Sequence, residues 1–202
     1  MRRAQHRGIA MPLMRDNVDT DVIIPKQFLA RTGRIGLGRC LLHSWRRCGR
    51  FKAGSPQYSK ATIMLSGDNY GCGSSREHAV WALTRCGYAA IIASSFAEIF
   101  HLNCIRNGLL PITLGRTLAA EAALISSGIA RLGVHADLVG TRVEFCSGRA
   151  IPFSMPAFYR MALSRGVSAA RMVISNMGDI LEHEAAKNPH QYTQAAFNRA
   201  GR

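Results

Sequence analysis

From residue 61 onward, short unbroken apolar runs alternate with amphipathic stretches, the pattern of buried strands linked by helices. Ala61-Thr62-Ile63-Met64-Leu65 predicts a strand, and the polar, glycine-rich residues 66–73 predict a loop after it. A helix follows: Ser74-Ser75-Arg76-Glu77 fits a capping box, Ala79, Val80, Leu83 and Cys86 form an apolar face, and Gly87 supplies a stop. The same order recurs with a strand over 89–93, a second box at Ser95 and Glu98, a helix through Ile99, Leu102 and Ile105, and Gly108 as stop. A third strand is expected over 109–114, a helix over 118–127, short strands over 137–140 and 142–145, and a helix over 157–164 behind Pro156. Successive strand–helix–strand units with right-handed crossovers imply an α/β fold with a parallel or mixed sheet flanked by helices.

Before residue 61 the pattern is weaker. Residues 16–30 set Asp16, Asp19 and Asp21 ahead of a short apolar run that Pro25 interrupts. Residues 31–60, rich in glycine and arginine, predict a long loop with short helical pieces, a usual place for binding contacts. No linker or repeat divides the chain, so one domain over 1–182 and a polar tail over 183–202 are expected.

Composition changes the picture in one respect. The 202 residues are 48% hydrophobic, ordinary for a globule, but 26 Lys+Arg against 12 Asp+Glu give +14. Four lysines leave 22 arginines, which invites a polyanionic partner. Their spread from Arg2 to Arg202, with the densest cluster only at residues 45–50, argues against a nucleic-acid-binding tail. The six cysteines include no C-x-x-C pair and no zinc-ligand spacing, so no metal or cluster is expected in this chain. The absence of a signal-length or membrane-length apolar run predicts a cytoplasmic, non-membrane chain with reduced thiols.

Chemistry concentrates in Gly71-Cys72-Gly73-Ser74-Ser75-Arg76-Glu77-His78. Two glycines let the backbone approach a ligand, the hydroxyls precede a helix, and an arginine follows. A carboxylate could take backbone N–H bonds, a Ser75 hydroxyl bond and a charge-assisted bond from Arg76; a plain N-cap with a solvated arginine is the competing reading. A helix N-terminus lowers an anion's pKa by about 1.5 units at most, too little to ionise a serine. A serine base here needs a metal or a second polypeptide around it, so the site is half of something.

Three motifs carry a family resemblance. Residues 17–25 (Asn17-Val18-Asp19-Thr20-Asp21 through Ile23-Ile24-Pro25), residues 67–79 and Asn107-Gly108-Leu109-Leu110-Pro111-Ile112 closely resemble the small subunit of 3-isopropylmalate dehydratase, in the aconitase superfamily. The likeness is close over 8–115 and loose over 116–182. It implies a single swivelling β/β/α domain like the aconitase C-terminal domain, and a hydro-lyase that interconverts 2- and 3-isopropylmalate in leucine biosynthesis. It further implies that a large subunit carries a [4Fe-4S] cluster and that the enzyme works only as the pair.

By the same resemblance Ser74 is the catalytic base, and Ser75 and Arg76 bind the carboxylate of a small dicarboxylate. Asp19, Thr20 and Asp21 shape the site floor or form a plain turn. His78 pairs with Asp19 or Asp21, or is a satisfied histidine. Phe28, Leu29 and Arg31 lie where the family sets side-chain selectivity; the apolar pair suits an isopropyl group, while Arg31 leaves room for a more acidic substrate. Val80 replaces the family's proline, and residues 151–180 lack its usual later signatures. That divergence keeps open a homoaconitase, dimethylmalate or citraconate hydratase type, or an inactive paralogue.

Overall fold

The strand at the centre of the sheet is one that the apolar pattern does not announce, β1 (Gln5–Leu13). It belongs to a computed structural model that describes residues 4–29, 36–49, 51, 55–74, 76–127, 133–166, 174 and 177–187. Arg7, Gly8 and Pro12 break the apolar run of β1, yet Ala10, Met11 and Leu13 are buried. Residues 10–13 pair with one neighbour only, so Pro12 stands where the ladder is one-sided, a position that tolerates its missing N–H.

Around β1 the chain builds a seven-stranded mixed sheet in the order β4-β3-β2-β1-β5-β6-β7. β2 (Ala61–Ser66), β3 (Ala90–Ala93) and β4 (Leu110–Thr113) run parallel to one another, and β2 runs parallel to β1. β5 (Gly133–Asp137), β6 (Arg142–Phe145) and β7 (Ala150–Pro152) extend it in antiparallel fashion from the other side of β1. The expected strand–helix units therefore form, with α3 (Glu77–Arg85), α4 (Glu98–Arg106) and α5 (Thr117–Ser126) as the helices. The N-terminal motif holds the four-residue α1 (Thr20–Ile23), and the described residues between it and β2 hold α2 (His43–Arg47) and three short 3-10 turns.

Alternate residues of the parallel strands enter two different cores, which explains their continuous apolar runs. Met64, Ile91 and Ala93 pack with Ala79, Leu83, Phe100 and Cys104 from α3 and α4. Ile63, Leu65 and Ile92 pack on the opposite face with Leu118, Ala122 and Ile125 of α5 and Val134 and Val143 of the antiparallel half. The loop expected over 31–60 is pinned to the first core by fully buried Leu37, Leu41 and Leu42. In the divergent stretch, Ile151, Phe153 and Met155 remain buried in the second core, so the alternation survives although the family's residues do not. Helix α6 (Ala157–Arg165) begins after Pro156 as expected and ends at left-handed Gly166.

Three boundaries move. Both expected capping boxes fail: the N-cap residues are Arg76 and Ala97, neither with a side-chain cap bond. Ser95 instead accepts a hydrogen bond from the Asn69 N–H at 2.8 Å and donates to Asp68 at 3.1 Å. The strand expected at 137–140 lies earlier, because the Asp137 carboxylate accepts hydrogen bonds from the Val139 and Gly140 N–H groups at 3.0 and 3.1 Å and turns the chain there.

The Gly140 bond, with smaller help from Val139, Gln5 and Arg142, holds the Asp137 carboxyl below its usual range despite the opposing effect of burial. A folded-state pKa below the unfolded one contributes stability that is present above about pH 4 and is lost as pH falls through the folded value. Asp137→Asn is expected to cost about 1 kcal/mol near neutrality and to flatten the acid limb of the stability curve, read by urea unfolding across pH.

The chain forms two compact units, Met1–Ser168 and Ala169–Arg202. In the second unit, α7 (Met177–Lys187) runs through position 183, where the sequence places the start of the tail. No helix among the described residues is long and apolar enough to cross a membrane.

Candidate active site

Because β1 and β2 are parallel neighbours, the loops leaving their carboxyl ends lie side by side, the usual location of ligand sites in such sheets. These loops are residues 14–19 and 67–76, the first and second sequence motifs. They zip together in register. The Gly67 N–H donates to Arg15 O at 3.1 Å, Asn17 N–H to Asp68 O at 2.8 Å, Gly71 N–H to Val18 O at 2.8 Å and Thr20 N–H to Cys72 O at 2.9 Å. Side chains reinforce the seam: Asp16 accepts from the Asp68 N–H at 2.7 Å, and Asn69 Nδ2 donates to Asn17 Oδ1 at 2.8 Å. Asn17 and Asn69 both adopt positive φ, which asparagine tolerates.

Two positions of this seam combine a left-handed backbone with a close approach and so require glycine. Gly71 (φ +82°) backs onto Phe100, and Gly73 (φ +84°) onto the Asp19 carboxylate; a Cβ at either would overlap its neighbour. Asp19 also caps α1, accepting from the Asp21 N–H at 2.6 Å. Thr20 Oγ1 donates to the Ser74 carbonyl at 2.8 Å, which fixes the backbone at the candidate base while the Ser74 residue stays exposed.

This anchoring explains the failed first capping box. The backbone of Gly71, Cys72 and Ser74 is committed to residues 18–20, so helical geometry begins only at Glu77, three residues beyond Ser74. Glu77 does not reach back to Ser74; its carboxylate accepts from Asn107 Nδ2 at 2.9 Å and from Trp81 Nε1 at 3.3 Å. Trp81 Nε1 also donates to Asn107 Oδ1 at 2.9 Å, so Asn107 ties the first turn of α3 to the end of α4. Asn107 stands in the third motif, but nothing in the local pattern assigns it this role.

The site residues read from the sequence divide as follows. Ser74, Arg76, Asp19, Thr20 and Asp21 come together at the carboxyl ends of the central strands β1 and β2. Arg76, not His78, takes Asp21, through an Nη1–Oδ1 ion pair. His78 lies against Trp81, ring centroids 4.6 Å apart. Phe28 and Leu29 pack against the first core, with Phe28 edge-on to His43 at 5.1 Å. Ser75 and Arg31 lie outside the described residues. Burial, aided by the Asp19 charge, raises the Cys72 thiol pKa, which favours the protonated form of the one thiol in the loop.

All six cysteines are free, and among the described residues no group of three or more His, Cys, Asp or Glu side chains is placed to hold a metal ion. Three of the arginines, Arg39, Arg46 and Arg85, line a cavity of about 640 Å³ at the C-terminal end of α3.

Comparison with known proteins adds four findings. A family model described as the aconitase C-terminal domain matches residues 2–117. A Brevibacillus brevis protein named 3-isopropylmalate dehydratase small subunit is 38% identical over 188 residues, covering 90% of this chain and 97% of its own length. A Bordetella parapertussis protein named 3-isopropylmalate dehydratase small subunit 2 is 41% identical over 192 residues, covering 91% of this chain and 94% of its own. Among solved structures, a crystal structure of 3-isopropylmalate dehydratase from Methanocaldococcus jannaschii matches with a TM-score of 0.64 at 30% identity, covering 86% of this chain and 99% of that one.

Proposed function

Since this chain belongs to the aconitase C-terminal domain family, we propose that it is the small subunit of a 3-isopropylmalate dehydratase and that, with its large subunit, it interconverts 2- and 3-isopropylmalate. The observation that carries the reading is the zipped pair of loops, which presents an exposed Ser74 and an oriented Arg76 at the carboxyl ends of β1 and β2. The reading also takes in leucine biosynthesis and a cytoplasmic setting. The large subunit's [4Fe-4S] cluster supplies a Lewis acid for the substrate hydroxyl and carboxylate.

This chain's residues handle the proton and one carboxylate. Ser74, as alkoxide, takes the proton from the carbon beside a substrate carboxylate in dehydration and returns it in rehydration. Its loop lies ahead of α3 rather than in the helix's first turn, so the helix dipole contributes little, and ionisation requires further hydrogen-bond donors or cations from outside this chain. Arg76 supplies N–H donors to the carboxylate, which orients the proton toward Ser74. Thr20 keeps the Ser74 backbone from yielding as substrate binds.

The test is reconstitution. The chain co-expressed with a large subunit bearing the cluster is expected to hydrate isopropylmaleate, followed by loss of its conjugated absorbance, whereas either subunit alone is inactive. A cluster-replete pair that leaves isopropylmaleate untouched and hydrates another unsaturated diacid would reassign the substrate. In the active pair, Arg76→Ala is expected to raise KM by about 10- to 100-fold, the loss of hydrogen bonds to a charged group.

A further inference from the structure

Arg76 does not stand free at the site edge. Its Nη1 is held by Asp21 Oδ1 from α1, 55 residues earlier in the chain. The arginine side chain is 19% exposed and the aspartate 39%, so the pair sits half out of water and is not a freely solvated surface contact. Asp21 has little freedom to withdraw. Its own N–H is bound to Asp19, and the preceding Thr20 is bound twice to the opposite loop, through Cys72 O and Ser74 O.

The contact engages one nitrogen of the guanidinium. A guanidinium carries its donors in a rigid planar fork, so fixing Nη1 from one side sets the plane and leaves the Nη2 and Nε edges for a planar, bidentate partner. Asp21 also offsets part of the arginine's charge, which leaves the pair selective for geometry more than for charge alone.

We infer that Asp21 is a positioning residue that holds the Arg76 guanidinium in the orientation that receives a substrate carboxylate. This rests on the reading of Arg76 as a carboxylate ligand and adds the residue that pre-organises it. An arginine left free must lose its rotamer freedom on binding, whereas one held by Asp21 has lost it already. The alternative, in which Asp21 competes with substrate for Arg76, predicts the opposite sign.

The experiment uses the reconstituted pair and compares Asp21→Asn, Arg76→Ala and the double variant. Asn is isosteric with Asp and Asp21 is partly exposed, so thermal midpoints are expected to match the parent. Asp21→Asn is expected to raise KM about tenfold with kcat within about twofold, the effect of ordering one long side chain. In the Arg76→Ala background the same change is expected to do nothing further, and Asp21→Glu, which keeps the charge, is expected to recover part of the affinity. An unchanged or lowered KM for Asp21→Asn, with Arg76→Ala still impaired, overturns the inference alone. A full, additive Asp21→Asn effect in the Arg76→Ala background does the same. If Arg76→Ala leaves KM unchanged, the carboxylate-ligand reading itself fails.

Discussion

Ser74→Ala in the reconstituted pair is expected to lower kcat by about 10²- to 10⁴-fold, the range for removing a positioned proton-transfer group, with KM within about threefold. The structure predicts this split. Thr20 holds the Ser74 backbone through its carbonyl, not its side chain, so removing Oγ leaves the loop and the Asp21–Arg76 pair in place. The variant is expected to fold, to bind its large subunit and to retain affinity for the dicarboxylate. A kcat within about threefold of the parent would move the base to another residue, and a large KM change would show that Ser74 serves binding instead.

Gly71→Ala is expected to destabilise the chain by about 2–5 kcal/mol, from left-handed strain and overpacking together. Gly71 has φ +82°, and its missing side chain is the space that the Phe100 ring occupies. Phe100 cannot retreat easily: it is 1% exposed and edge-on to fully buried Tyr70, with ring centroids 5.4 Å apart. Natural domains are stable by only about 5–15 kcal/mol, so this change removes a large share of the total. Urea unfolding reads it directly, and a loss below about 1 kcal/mol would mean that the loop is not seated on α4 as described. The Ser74 and Gly71 variants separate chemistry from scaffold: the first should spare stability and abolish turnover, and the second should weaken both through the fold.

The strand–helix alternation from residue 61 was legible because each element buries a face, and burial writes its period into the chain. Helix stops at Gly87 and Gly108 were legible for a related reason: both adopt positive φ, at 103° and 70°. Helix starts were not. Ser74 and Ser95 match a capping pattern, but tertiary partners in the 16–20 loop and the 67–70 loop claim the surrounding groups first. β1 was hidden for another reason. Its Arg7, Gly8 and Pro12 break the apolar run, while the sheet around it supplies the burial that a local window does not show.

By itself, then, the sequence determined the order of strands and helices from residue 61 onward, the family's three motifs and, through that resemblance, the candidate pair Ser74 and Arg76, because these depend on residue type and short-range spacing. Only the tertiary structure decided that β1 and β2 are neighbours, that their carboxyl-end loops zip together, and that Arg76 meets Asp21 rather than standing in solvent. Those contacts join residues more than 50 positions apart. Such pairing follows from strand order and direction, which no periodicity within a single segment encodes.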